Sequence, residues 1–154
     1  MAEQRVRRVL RGVTAGVVAT VAYTATSAQL KRRTGSTGDV QPIQVATALG
    51  GGTPPAETDA GHRGLANGLL HWGYGTWGGL LRELLAGRGI TGWRADLAQL
   101  AAFWLPWRLL ALAHRPDHQP TRRQRRDALA ADLFKHVVYV LVCRLVHDLL
   151  ARRR

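Results

Sequence analysis

Three long stretches without charge, separated by clusters of arginine, constrain this chain more than any other feature in it. Residues 12–30 carry no charged side chain over 19 positions, residues 64–81 none over 18, and residues 97–113 only Arg108. A hydrocarbon core about 30 Å thick takes roughly 20 apolar residues at about 1.5 Å rise each. These stretches predict membrane-crossing helices. A fourth segment, 128–150, carries Asp132, Lys135, His136, Arg144, His147 and Asp148, and only residues 137–143 run continuously apolar. Alone it reads equally as an amphipathic helix lying in the interface. The expected fold class is all-α: a polytopic membrane protein built as a four-helix transmembrane bundle. Its spans fall near 12–30, 64–84, 96–113 and 128–150, with the fourth conditional on where its polar face goes.

The charge excess supports the same class. The chain has 22 Lys and Arg against 10 Asp and Glu, a formal net charge of +12. A nucleic-acid binder gathers such an excess on one face or stripe. Here the cations sit in short clusters at the ends of apolar stretches, such as Arg5/Arg7/Arg8/Arg11, Lys31/Arg32/Arg33 and Arg152/Arg153/Arg154. That is where headgroups lie, so nucleic acid is not an expected partner. The basic run Arg122, Arg123, Arg125 and Arg126 is the expected contact with anionic lipid headgroups.

Residues 1–11 followed by an apolar run begin as a signal peptide does. The run is longer than the usual signal core of about 7–15 residues, which favours an uncleaved first span. A single cysteine, Cys143, allows no disulfide within the chain.

Residues 31–63 form a long polar connection rich in Gly and Pro, within which 42–49 suits a short helix started by Pro42. The short Gly-containing connection at 87–95 makes spans two and three antiparallel neighbours. Orientation does not follow from charge. Four spans place ten cations on the side of the termini and nine on the other, whereas three spans place fourteen against seven.

Two stripes predict how the helices meet. Gly64, Gly68, Gly75 and Gly79 fall on one helical face, and Gly12, Gly16 and Thr20 repeat every four residues in the first span. Small residues at this spacing let backbones approach closely, so spans one and two are expected to pack through them. His71 shares the glycine stripe and is therefore aimed at a neighbouring helix, with Tyr74 beside it. In the fourth segment Asp132, His136, Tyr139, Cys143 and His147 line one face at spacings of four, three, four and four. Such a face either lines the bundle interior or lies at the surface. In the interior, Asp132 is placed to hold the His136 ring four residues on. Arg108, just after the helix-kinking Pro106, bonds the backbone that Pro106 frees, snorkels to the interface, or pairs with an acid such as Asp132 or Glu83. The expected intramembrane polar site is thus His71, Tyr74, Arg108, Asp132, His136 and Tyr139.

The segment His71-Trp-Gly-Tyr-Gly-Thr-Trp-Gly-Gly79 resembles the H-[WY]-x-x-G-x-x-[WY]-G pattern of small bacterial membrane proteins, the YagU-like inner-membrane family. Residues 42–49 resemble the loop helix that precedes that span. His136-Val-Val-Tyr139 is similar to their final H-x-x-Y-G, except that Val140 stands where the glycine would be. The resemblance covers residues 40–80 and 130–150. It implies a four-span protein of the bacterial plasma membrane, linked in one branch to acid tolerance, and brings no catalytic residues with it.

No phosphate loop, C-x-x-C, H-E-x-x-H or nucleophile-elbow pattern occurs. The expectation is a non-enzymatic protein without cofactor or metal: a structural or stress-related component, a homo-oligomer or an accessory subunit of a larger membrane complex. Two alternatives stay open. One is a small transporter or proton-conducting element using the His/Asp/Tyr cluster. The other is a haem- or metal-binding protein in which His71 and His136 supply axial ligands.

Overall fold

A computed structural model describes residues 2–34, 60–113 and 121–152, and all four elements in them are α-helices. They are α1 (Ala2–Thr34), α2 (Ala60–Gly87), α3 (Gly92–Ala113) and α4 (Arg122–Arg152). The expected short helix at 42–49 lies outside the described residues. At about 1.5 Å per residue the four helices are roughly 33–50 Å long, each enough for a hydrocarbon core.

Local chemistry sets the helix ends. Lys31, Arg32 and Arg33 occupy the last turn of α1, where cations meet the negative end of the helix dipole. A Schellman motif ends α2. Ile90 N–H donates to the Leu85 carbonyl, and Gly89 N–H to that of Ala86, each at 3.0 Å. Gly89 has φ 76°, a left-handed conformation that favours a residue without Cβ. Gly92, with φ 59°, then opens α3. Thr121 and Gln124 form a capping box for α4. The Gln124 backbone N–H donates to Thr121 Oγ1 (3.3 Å), while Gln124 Oε1 accepts from the Thr121 N–H (2.9 Å).

The helices run up, down, up and down. Arg11 lies level with Glu83 and Thr24 with His71, so α1 and α2 are antiparallel. Arg82 lies level with Asp96 and Tyr74 with Phe103, so α3 reverses again. Asp96 bonds Arg144 and Trp104 bonds Asp132, so α4 returns antiparallel to α3. The chain's N- and C-terminal helix ends and the α2–α3 turn share one end of the bundle. The longest seams are those of α1 with α2 and with α4, while α3 packs along narrower ones.

Glycine determines the closest approach. A Cβ on Gly16 would stand 2.8 Å from the Gly75 and Thr76 carbonyl oxygens, and one on Gly12 3.0 Å from the Gly79 carbonyl. A Cβ on Gly79 would drive into the Gly12 and Gly16 backbone, and one on Gly75 into the Thr20 side chain. The expectation that the stripe packs along its whole length needs correction. At Gly64 and Gly68, nothing among the described residues lies within 4 Å of where a Cβ would stand. The contact stops there because α1 and α2 meet through the turns around Gly12–Gly16 and Gly75–Gly79.

Among the described residues, only α1 is long and apolar enough to cross a membrane unaided. This qualifies the expectation drawn from uncharged stretches. Absence of charge is a weaker condition than apolarity. Glycine, His71, Trp72, Tyr74 and Trp77 dilute α2, and Gln99, Pro106 and Arg108 dilute α3.

Polarity is turned inside out. Arg82, Gln99, Lys135 and His147 are 0–6% exposed, while Leu10, Leu69, Leu109 and Leu145 are 58–67% exposed. The apolar core is small: Ala15, Ala19, Phe103, Tyr139, Val140 and Cys143.

Candidate functional site

The interior divides into three layers along the bundle axis. The first, nearest the termini, is ionic. Arg82 Nη1 bonds Asp96 Oδ1 at 2.6 Å, and Arg144 Nη1 bonds the other oxygen of the same carboxylate at 2.8 Å. Arg11 makes a two-pronged contact with Glu83, at 2.7 and 2.5 Å, the geometry in which guanidinium and carboxylate match best. His147 stands with Nε2 3.0 Å from Glu83 Oε2 and Nδ1 3.2 Å from Asp148 Oδ1. All four helices contribute to this layer.

The middle layer is neutral and tied to backbone. Tyr139 donates its hydroxyl to the Gly75 carbonyl (2.5 Å), and Thr20 donates to the Gly16 carbonyl one turn behind it (2.8 Å). Gln99 links this layer to the first: its Oε1 accepts from Arg82 (3.2 Å), while its Nε2 donates to the Gly78 carbonyl (2.9 Å) and to Cys143 Sγ (3.3 Å). The Phe103 ring lies between two tyrosines, stacked on Tyr139 at 5.4 Å and tilted against Tyr74 at 4.5 Å. The Tyr74 hydroxyl donates to the Phe103 carbonyl at 3.3 Å.

The third layer gathers Tyr23, Thr24, His71, Trp104, Asp132, Lys135 and His136. Thr24 Oγ1 lies 2.9 Å from His71 Nε2. Trp104 Nε1 donates to Asp132 Oδ2 (3.0 Å), and the buried Lys135 ammonium lies 4.0 Å from Asp132 Oδ1 and 5.4 Å from the centre of the Tyr23 ring. The contact with Tyr23 is of cation–π type. His136 Nδ1 meets the Asp132 carbonyl oxygen at 2.8 Å, with the carboxylate farther off at 3.5 Å. A carbonyl only accepts, so Nδ1 donates. The ring is held by the helix backbone one turn back, with the Asp132 carboxylate also within pairing distance, as the spacing suggests.

Most of the expected polar residues come together. His71 and His136 flank Tyr23, at ring-centre distances of 5.7 and 5.3 Å. Tyr74 and Tyr139 flank Phe103 in the same way, so the two H-x-x-Y segments on α2 and α4 grip one aromatic ring apiece from each of the other helices. The imidazoles do not converge on a common point, because Tyr23 fills the space between them. That geometry does not fit a haem held by this pair. Among the described residues no group of three His, Cys, Asp or Glu side chains is placed to hold a metal ion. Arg108 stands apart: it is half-buried and pairs with neither candidate carboxylate, since Asp132 is engaged by Trp104 and Lys135, and Glu83 by Arg11 and His147. Arg122, Arg123, Arg125 and Arg126 are exposed at the start of α4.

The ionic layer lies outside the site expected from sequence. Arg82 and Asp96 read as loop charges because each lies at the edge of an apolar stretch. The signal is in continuing the stripes by one turn. Gly75, Gly79 and Glu83 share a spacing of four, and His147 closes the polar face of α4. Among the described residues the cations Arg11, Arg82, Lys135 and Arg144 face Glu83, Asp96, Asp132 and Asp148, four charges of each sign, with the Arg144–Asp148 pair at the exposed edge of the network.

Comparison with protein-family models, with curated proteins and with solved structures gave no match to this chain.

Proposed function

We propose that this chain is a multi-pass protein of the bacterial plasma membrane, a non-enzymatic structural component or accessory subunit whose four helices are held together by a buried ionic core. The observation that carries this reading is the inverted polarity. A water-soluble monomer rarely exposes a contiguous apolar surface larger than a few hundred Å². Here apolar side chains cover the outside of every helix while ion pairs occupy the centre. In lipid that arrangement is the favourable one: apolar groups face hydrocarbon, and charges turn inward to partners. The burial of Ala15, Ala19 and Thr20 against α2 and α4 supports α1 as a resident helix rather than a leader, because its removal would unroof the core. The likeness of His71–Gly79 to the pattern of small inner-membrane proteins supports the same placement.

The middle layer favours a structural role over conduction. A proton relay needs titratable groups or water between its two ends. The hydroxyls of Tyr139 and Thr20 are committed to backbone carbonyls, and Gln99 spans the gap with an amide.

Two measurements on the full chain test the proposal. Membranes washed with alkaline carbonate are expected to retain the protein; release into the wash overturns the membrane placement. Reconstituted vesicles given a pH jump are expected to show no flux above empty vesicles. Flux that disappears in both His71→Ala and His136→Ala replaces the structural reading with the conducting one.

A further inference from the structure

Orientation in a membrane is set by Lys and Arg near the helix ends, usually through the bias across the first helix. The bundle changes which cations count. Arg11, Arg82 and Lys135 stand beside carboxylates in the interior, and Arg144, 41% exposed, is tied to Asp96 at its edge, which leaves 18 of the 22 to meet headgroups. The up-down-up-down course assigns each of these to an end.

At every helix the two ends then balance. Flanking α1 are Arg5, Arg7 and Arg8 at one end and Lys31, Arg32 and Arg33 at the other. Flanking α2 are Arg63 and Arg88, and flanking α3 are Arg94 and Arg108. Flanking α4 are Arg122, Arg123, Arg125 and Arg126 against Arg152, which Arg153 and Arg154 follow in the sequence. Arg115 is left over; in the sequence it falls between α3 and α4, and it is counted with Arg122. No helix differs between its ends by more than one cation, and the whole chain differs by two, eight against ten. The described members at the ends of α1 and α4 are exposed, within reach of headgroups on either side.

We infer that the full chain enters the membrane in both orientations, so that copies with inward and outward termini coexist. This rests on the multi-pass reading above. A strong bias selects one insertion; eight cations against ten, spread evenly over four helices, selects none. Matched cationic ends also suit either leaflet, since each end of the bundle can meet anionic headgroups.

The test uses the intact chain in cells, with Cys143 buried and single cysteines placed by Arg152→Cys or Thr121→Cys. An impermeant maleimide is expected to label a comparable, intermediate fraction of each. Arg122→Ala combined with Arg123→Ala and Arg125→Ala is expected to move the populations together: labelling rises at position 121 and falls at position 152. Arg5→Ala with Arg7→Ala and Arg8→Ala moves them oppositely. Complete labelling at one position with none at the other, while the protein stays in carbonate-washed membranes, overturns dual insertion and leaves the membrane reading standing. Release from those membranes removes both. The alanine variants alter exposed side chains outside the ionic core, and labelling of Thr121→Cys, which keeps every arginine, decides the matter without them.

Discussion

Asp96 holds two guanidinium groups at once, which makes it the most consequential single residue of the interior. Breaking a buried ion pair by removing one partner costs about 3–5 kcal/mol, because the remaining charge stays uncompensated. Asp96→Leu strands Arg82, which is 3% exposed, and thermal unfolding in detergent is expected to show a loss of that order. Adding Arg82→Met to Asp96→Leu removes the stranded charge along with its partner. The double variant is expected to recover a large part of the loss. A double as unstable as the single would assign the damage to misfit of the new leucine side chain instead of charge. Tyr139→Phe is milder. It deletes one hydroxyl donated to the Gly75 carbonyl and is expected to cost about 1 kcal/mol while leaving the Phe103 stack in place. A melting point equal to that of the parent protein would place the hydroxyl outside the stabilising network.

At the level of elements, much of the packing is legible in the spacing of small residues. Gly12 and Gly16 against Gly75 and Gly79 follow from two four-residue repeats, and the stripe Asp132–His136–Tyr139–Cys143–His147 from one more, although the spacing leaves open whether that stripe faces inward. Three things are not legible. Nothing in the spacing tells Gly64 and Gly68 from Gly75 and Gly79, because where two helices diverge depends on their crossing and not on either sequence alone. The pairing of Arg82 with Asp96 spans a turn, so it emerges only once the Gly89 cap folds α3 back. The same is true of Tyr23, which reads as an ordinary apolar-span residue until α2 and α4 bring a histidine to each side. The glycine contrast is testable. Gly79→Leu is expected to abolish the monodisperse bundle in size-exclusion chromatography, since no backbone gap exists for the side chain. Gly68→Ala is expected to leave the profile unchanged and to raise stability by up to about 1 kcal/mol through helix propensity. Amide exchange should order the elements in the same way, slowest in the middle of α1, which lies against both α2 and α4, and faster in the peripheral α3.

Taken as a whole, the molecule separates two properties that usually coincide in membrane helices: being long enough to cross, and being apolar enough to enter alone. All four helices meet the first condition and, among the described residues, α1 alone meets the second. Besides the residues already named, several that the bundle draws into its ionic network lower the others: Arg82 and Glu83 in α2, Asp96 and Gln99 in α3, Asp132, Lys135, Arg144 and His147 in α4. A single charged residue at the centre of a lone helix costs about 2.5–3.5 kcal/mol on insertion scales. Glu83 and Asp96 find their cations on other helices, and Asp132 finds Lys135 one turn away on its own. The interhelical ion pairs therefore bear on biogenesis. On the multi-pass reading proposed above, helices α2 and α3 are best released into lipid as a hairpin, with Arg82 already on Asp96, and α4 only after that hairpin offers a carboxylate to Arg144. Residues 122–152 presented alone to a translocon are expected to stay in water, and to insert when residues 60–121 precede them. Asp96→Leu in that longer segment is expected to lower insertion of α4 again, by way of a residue on a different helix.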